Sequence, residues 1–201
     1  MPIVSVERIG ADVQMGVWRM EDTAEALVTA HPQLEPVLDM AAAYRSTARR
    51  LEVLAVHALL FYLTGDTTLR IGHDARGVPL VPGWQISLSH TRGFATVILS
   101  RRHRVAVDIE YRSDRVERIA DRFIRTDEKA EDLRSKLIHW SVKETVYKLF
   151  TEEDLKFFDM RLHPLVPGDE GRVQVEDLLC PNVQEVAYRY GADYVLTYAY
   201  L

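Results

Sequence analysis

Along most of the chain, apolar residues either alternate with polar ones or recur at helical spacing, and the two periods divide it into elements. The opening stretches "PIVSVERIG" and "VQMGVWRM" have the pattern of two short strands. In "EDTAEALVTAH", Asp22 and Glu25 stand three apart, the spacing of a capping box, which predicts a small helix. From about Leu38 to Leu63 the period becomes helical: Leu51, Leu54, Ala55, Ala58 and Tyr62 line one stripe, while Arg45, Arg49, Arg50 and Glu52 fall outside it. Turn residues in "LTGDTT" and "GHDARGVP" frame a short strand near Leu69, and "ISLSHT" then leads into "FATVILS".

A basic connection, "RRHR", joins "FATVILS" to the next strand, "VAVDIEY". "SDRVERIADRF" follows with Val116, Ile119, Ala120 and Phe123 at helical spacing and Ser113 as the expected cap. A further helix is expected over roughly 128 to 150, and "VQVE", "EVAYRY" and "YVLTYAYL" close the chain as strands, the last two hinged at Gly191. Strands and helices do not alternate regularly, which predicts an α+β fold. The expected division is into residues 1–100 and 101–201, with no linker-like stretch between them.

The strand "VAVDIEY" interrupts its apolar run with two carboxylates. Side chains alternate across a strand, so Asp108 and Glu110 share one face while Val107 and Ile109 take the other. Like charges on one face repel, and near a core the cost of desolvation is added. Two readings account for them: the face is wet or neutralised by a neighbour such as Arg112, or it holds a hard divalent metal. Mg²⁺ favours one or two carboxylates together with phosphate oxygens and water.

Two further patterns carry candidate chemistry. In "HWSVKETVYKLF", Trp140, Glu144 and Lys148 recur every four residues and share a helical face; alone, Glu144 and Lys148 read as an ordinary surface pair. In "SLSHT", His90 follows a strand pattern and reads equally as a structural histidine.

Composition narrows the classes. Of 201 residues, 47% are apolar and 27% charged, the balance of a folded globule, and the formal charge of −5 excludes a general nucleic-acid binder. Cys180 is the only cysteine, so no internal disulfide or cysteine-built zinc site is possible. The opening residues lack the pattern of a signal peptide, and no apolar run approaches the ~18 residues that span a membrane. A cytoplasmic protein without membrane or nucleic-acid partners is expected.

In order along the chain, "ISLSHT", "VAVDIEY" and "WSVKETVYK" resemble the 4′-phosphopantetheinyl transferases, and more narrowly the surfactin-synthetase-activating type, which holds two similar halves in one chain. The family pattern is a Ser-His pair, a Gly-hydrophobic-Asp-x-Glu strand and a Trp-x-x-Lys-Glu-x-x-x-Lys helix; the likeness runs from about Arg49 to Phe158. The resemblance implies a pseudo-dimer of two α+β halves with the active site in the cleft between them. It also implies transfer of the phosphopantetheine arm of coenzyme A to a serine of an apo acyl carrier protein or carrier domain, releasing adenosine 3′,5′-bisphosphate. A monomer is expected, because one chain would supply both halves.

By this resemblance Asp108, Glu110 and Glu144 hold Mg²⁺ against the pyrophosphate, and Lys148 supports the charge developing there. Ser89 and His90 match positions that contact coenzyme A phosphates. Glu128 or Glu144 takes the serine proton, and Arg49 or Arg50 meets the 3′-phosphate or groups near it. Three departures stand out: Val78 where lysine is common, His57 where arginine is common, and Ala106 where glycine is common. Arg76 is a candidate replacement for the missing lysine. Arg115, Arg118, Arg122 and Arg125 form a basic stripe that reads either as a solvated face or as the dock for an acidic carrier helix. Two rival readings are a non-catalytic homologue that binds coenzyme A or carrier protein, and a Mg²⁺-dependent phosphodiesterase.

Overall fold

The computed structural model describes residues 2–201. The chain forms two compact units that divide between His103 and Arg104. Both are mixed α+β with antiparallel sheets. Among the described residues no helix is long and apolar enough to cross a membrane.

In the first unit, strands β1 (Ile3–Arg8), β2 (Val13–Arg19), β5 (Gln85–Thr91) and β6 (Phe94–Ser100) make a sheet of order β1-β2-β6-β5. A two-residue ribbon, β3 (Gly72–His73) with β4 (Pro79–Leu80), stands where a strand near Leu69 was expected. Helix α3 (Thr47–Thr64) packs on β2 and β6, burying Leu54, Ala55, Ala58 and Leu59 with Trp18, Ala95, Val97 and Leu99. Gly16 on β2 permits this approach, since a Cβ there would lie 2.8 Å from Leu59 Cδ2.

Two boundaries differ from the periodicity. Thr23, not Asp22, caps α1 (Ala24–Ala30), its hydroxyl accepting from the Ala26 N–H at 3.2 Å. The helix expected from Leu38 to Leu63 is two helices, α2 (Glu35–Ala41) and α3. Ser46 separates them: it is extended, and its hydroxyl accepts from the Arg49 N–H at 3.3 Å, so the cap overrides the helical propensity of "MAAAYR".

In the second unit, β7 (Val105–Tyr111), β8 (Met160–Leu162), β9 (Glu170–Asp177), β10 (Asn182–Tyr190) and β11 (Tyr194–Tyr200) form a sheet of order β7-β11-β10-β9-β8. Helix α4 (Leu133–Leu149) lies against β7 and β11, its Leu137, Ile138, Val142 and Val146 packed with Ala106, Val186, Val195 and Ala199. The helix starts at 133 rather than 128 because Asp132 caps it, accepting from the Ser135 N–H at 2.7 Å.

The segment Asp114–Arg122 is a nine-residue 3₁₀ helix, and Ser113 makes no side-chain cap. With three residues per turn, Arg115 and Arg118 fall in one column with Asp121, and Arg122 falls in line with Val116 and Ile119. The basic stripe expected of an α-helix is thereby divided. Arg118 pairs with Asp114 at 3.7 Å, and Arg125 is tied back to Asp127 at 2.9 Å.

Candidate active site

Strand β7 pairs with β11 so that Asp108 stands opposite Thr197 and Glu110 opposite Val195. Both carboxylates face α4, whose one side presents Trp140, Ser141, Glu144, Thr145 and Lys148. Asp108 is 3% exposed. One of its oxygens accepts from Lys148 Nζ at 2.8 Å and the other from the Ser141 hydroxyl at 2.8 Å. Lys148 also donates to the Val107 carbonyl at 3.1 Å. Glu144 and Lys148 are therefore not a surface ion pair: the lysine crosses to the strand.

Behind Asp108 lies a hydroxyl cluster that periodicity had not singled out. Thr145 Oγ1 lies 2.6 Å from Thr197 Oγ1, and Thr197 donates to the Ser141 carbonyl at 2.9 Å. Ser141, Thr145 and Thr197 are all fully buried. The signal in the sequence was polar residues at i and i+4 on the helix face that also carries apolar packing.

Glu110 accepts from the Trp140 indole N–H at 2.6 Å. Trp140 also packs edge-on to Phe123, ring centres 5.2 Å apart, so it serves both packing and the carboxylate. Burial, followed by the negative charge of Asp108, pushes Glu110 up to about 7. Glu144 is raised by the same two causes, with Lys148 opposing. Glu110 opens onto a cavity of about 150 Å³ with Ser113, Arg115 and Trp140, and Glu144 onto one of about 360 Å³ with Arg122, Tyr147, Lys156 and Phe158.

Three carboxylates beside one ammonium supply hard oxygen donors and negative charge, which suits a divalent cation such as Mg²⁺. Among the described residues no three Asp, Glu, His or Cys side chains are already drawn together as a metal cluster. The donor chemistry fits the ion, and the negative charge of Asp108, which it would neutralise, adds to burial in raising Glu110 and Glu144.

Glu128 is elsewhere. It forms a fully buried ion pair with Lys143 at 2.8 Å, and also accepts from the backbone N–H groups of Arg125 (2.8 Å) and Leu162 (2.7 Å). Lys143 donates in addition to the carbonyls of Phe123 (2.7 Å) and Phe157 (3.1 Å). Burial lowers the Lys143 ammonium, with Glu128 opposing. With no exposed side-chain surface, Glu128 is tied to Lys143 and to the backbone of the loop before α4; of the two expected proton acceptors, Glu144 is the one that borders a cavity.

The candidates of the first unit separate similarly. Arg49 and His90 line a cavity of about 140 Å³ between α3 and β5, together with Tyr44, Glu52, His57 and His73, over apolar Val53, Val56 and Leu88. Arg49 Nη1 lies 2.6 Å from His90 Nε2 and 3.0 Å from Glu52. Arg50 points away, donating to the Tyr44 carbonyl at 2.7 Å. Ser89 is buried, and strand alternation sets it on the face opposite His90. Arg76 is exposed and pairs with Asp74 at 3.4 Å, within a turn closed by Val78, and it does not line this cavity.

His57 is structural. Its Nδ1 lies 2.7 Å from the Val53 carbonyl and its Nε2 accepts from the Ile71 N–H at 3.2 Å, the pattern of a neutral ring. Burial lowers it below its ordinary value. Glu52 was missed because a charge outside the apolar stripe reads as solvated; its position three residues after Arg49 was the available signal.

No curated protein matches the chain. Residues 104–199, the stretch that carries Asp108, Glu110, Glu144 and Lys148, match the family model of the 4′-phosphopantetheinyl transferase superfamily.

Proposed function

We propose that the protein is a Mg²⁺-dependent 4′-phosphopantetheinyl transferase of the type with two halves in one chain. It moves the phosphopantetheine arm of coenzyme A to a serine of an apo acyl or peptidyl carrier protein. The observation that carries this reading is the trio Asp108, Glu110 and Glu144 facing one helix–strand seam beside Lys148, in the region that matches the superfamily. Nothing in ordinary packing calls for three carboxylates there, and Glu110 raised to about 7 marks the energetic cost of holding them.

In the transfer the serine oxygen forms a bond to the β-phosphorus of coenzyme A, the phosphorus that bears the pantetheine, and the bridging P–O bond to adenosine 3′,5′-bisphosphate breaks. Asp108, Glu110 and Glu144 would hold Mg²⁺, which supplies charge neutralisation at the pyrophosphate when bound. Lys148, held by Asp108 and the Val107 carbonyl, is positioned to meet negative charge on the phosphoryl oxygens. Glu144 accepts the serine proton directly or through water. Trp140 orients Glu110. At the nucleotide end Arg49 and His90 are the contacts the cavity favours, and Arg50 and Arg76 are not.

Intact mass of an apo acyl carrier protein, after incubation with the protein, coenzyme A and Mg²⁺, tests the reading. The expected result is a gain of one phosphopantetheine that a chelator and Glu110→Ala both abolish. Cleavage of coenzyme A without a carrier would instead favour a phosphodiesterase. Binding of coenzyme A without transfer to any carrier would favour a non-catalytic homologue.

A further inference from the structure

We propose that Glu52 makes the nucleotide end of the site indifferent to the 3′-phosphate of its donor, so that 3′-dephospho-coenzyme A serves as well as coenzyme A. This rests on the reading above, in which that end of the donor enters the α3–β5 cavity.

Among the described residues lining the cavity, Arg49 is the only side chain with a permanent positive charge. That charge is already engaged. Its Nη1 is 3.0 Å from one oxygen of Glu52, and the other oxygen lies 3.4 Å from His90 Nδ1. Arg49 Nη1 also stands 2.6 Å from His90 Nε2. If Nε2 accepts from the guanidinium, the imidazole proton sits on Nδ1 and faces Glu52, so guanidinium, imidazole and carboxylate close on one another.

His57 adds no cation, because both its ring nitrogens are occupied by backbone groups in the neutral form. Arg49 and Glu52 are one turn apart on α3, and the Glu52 side chain is only 19% exposed. Its charge is therefore weakly screened.

A phosphate dianion that approaches Arg49 or His90 has to lie beside the Glu52 carboxylate or displace it. A sugar hydroxyl in the same place donates to Glu52 and leaves the Arg49 pair intact. The carboxylate thus cancels what the guanidinium would otherwise gain from the 3′-phosphate, and the donors with and without that group become equivalent.

The experiment compares kcat/KM for coenzyme A and 3′-dephospho-coenzyme A with one apo carrier, in wild type and in Glu52→Gln, which retains the size of the side chain and removes its charge. The wild-type ratio is expected within about threefold of one, and Glu52→Gln is expected to shift it at least tenfold toward coenzyme A. In parallel, calorimetric titration with adenosine 3′,5′-bisphosphate and with adenosine 5′-diphosphate reads the same preference without a carrier. A wild-type preference for coenzyme A above tenfold, or nucleotide affinities whose ratio Glu52→Gln does not move, overturns the proposal. Absence of transfer from both donors overturns the transferase reading instead, and the nucleotide titration then still decides the role of Glu52.

Discussion

Glu110 is held where a carboxylate is costly: it is partly buried, with Asp108 two residues away on its own strand and the Trp140 indole N–H as its close donor. Removing one of several crowded charges should stabilise the fold while removing the chemistry. Glu110→Gln is expected to raise stability by about 1 kcal/mol in metal-free buffer, read by urea denaturation, and to lower carrier modification at least 100-fold. Ser141→Ala should act in the opposite sense, costing about 1–3 kcal/mol, because it removes a hydroxyl that donates to buried Asp108. His57 sets a pH dependence. Its folded pKa lies below the ordinary 6.5, so between the two values the unfolded chain binds more protons and stability rises with pH. Its contribution is complete above about 6.5 and is lost as pH falls. Midpoints of urea denaturation from pH 7.5 to 5 should decline less steeply in His57→Gln than in wild type.

At the scale of elements, the buried Lys143–Glu128 pair joins α4 to the loop before it and to the backbone at Phe157. Lys143→Met leaves Glu128 charged in a dry site and is expected to cost about 3–5 kcal/mol; adding Glu128→Leu should recover much of that, as a denaturation series on both variants would show. The strands and α4 were legible because their apolar residues keep a single period against one sheet. The carboxylates of β7 were legible as a break in such a period. What was not legible was decided by competition between local and tertiary bonds. Ser46 and Asp132 cap helices that the periodicity alone would extend. Asp114–Arg122 carries too few apolar residues for its period to distinguish 3.6 from 3.0 residues per turn. Glu128 and Glu144 look alike in sequence; only the fold shows that one is closed within a buried pair and the other opens onto a cavity.

For the molecule as a whole, a formal charge of −5 means that attraction to an acidic carrier has to come from a local surface. The column of Arg115 and Arg118 on the 3₁₀ segment, one reading of which in the sequence is a dock for an acidic carrier helix, is the candidate for that surface. Arg118→Glu should raise the carrier KM severalfold and leave coenzyme A affinity unaltered, and the wild-type carrier KM should rise with added salt. The 3₁₀ geometry has a further consequence for which carriers are read well. A rise of about 2 Å per residue sets residues three apart roughly 6 Å apart along the axis, which is also the axial distance between positions i and i+4 of an α-helix. The two arginines therefore act as a ruler: a carrier helix with carboxylates four residues apart meets both, whereas one with carboxylates two residues apart can engage only one at a time.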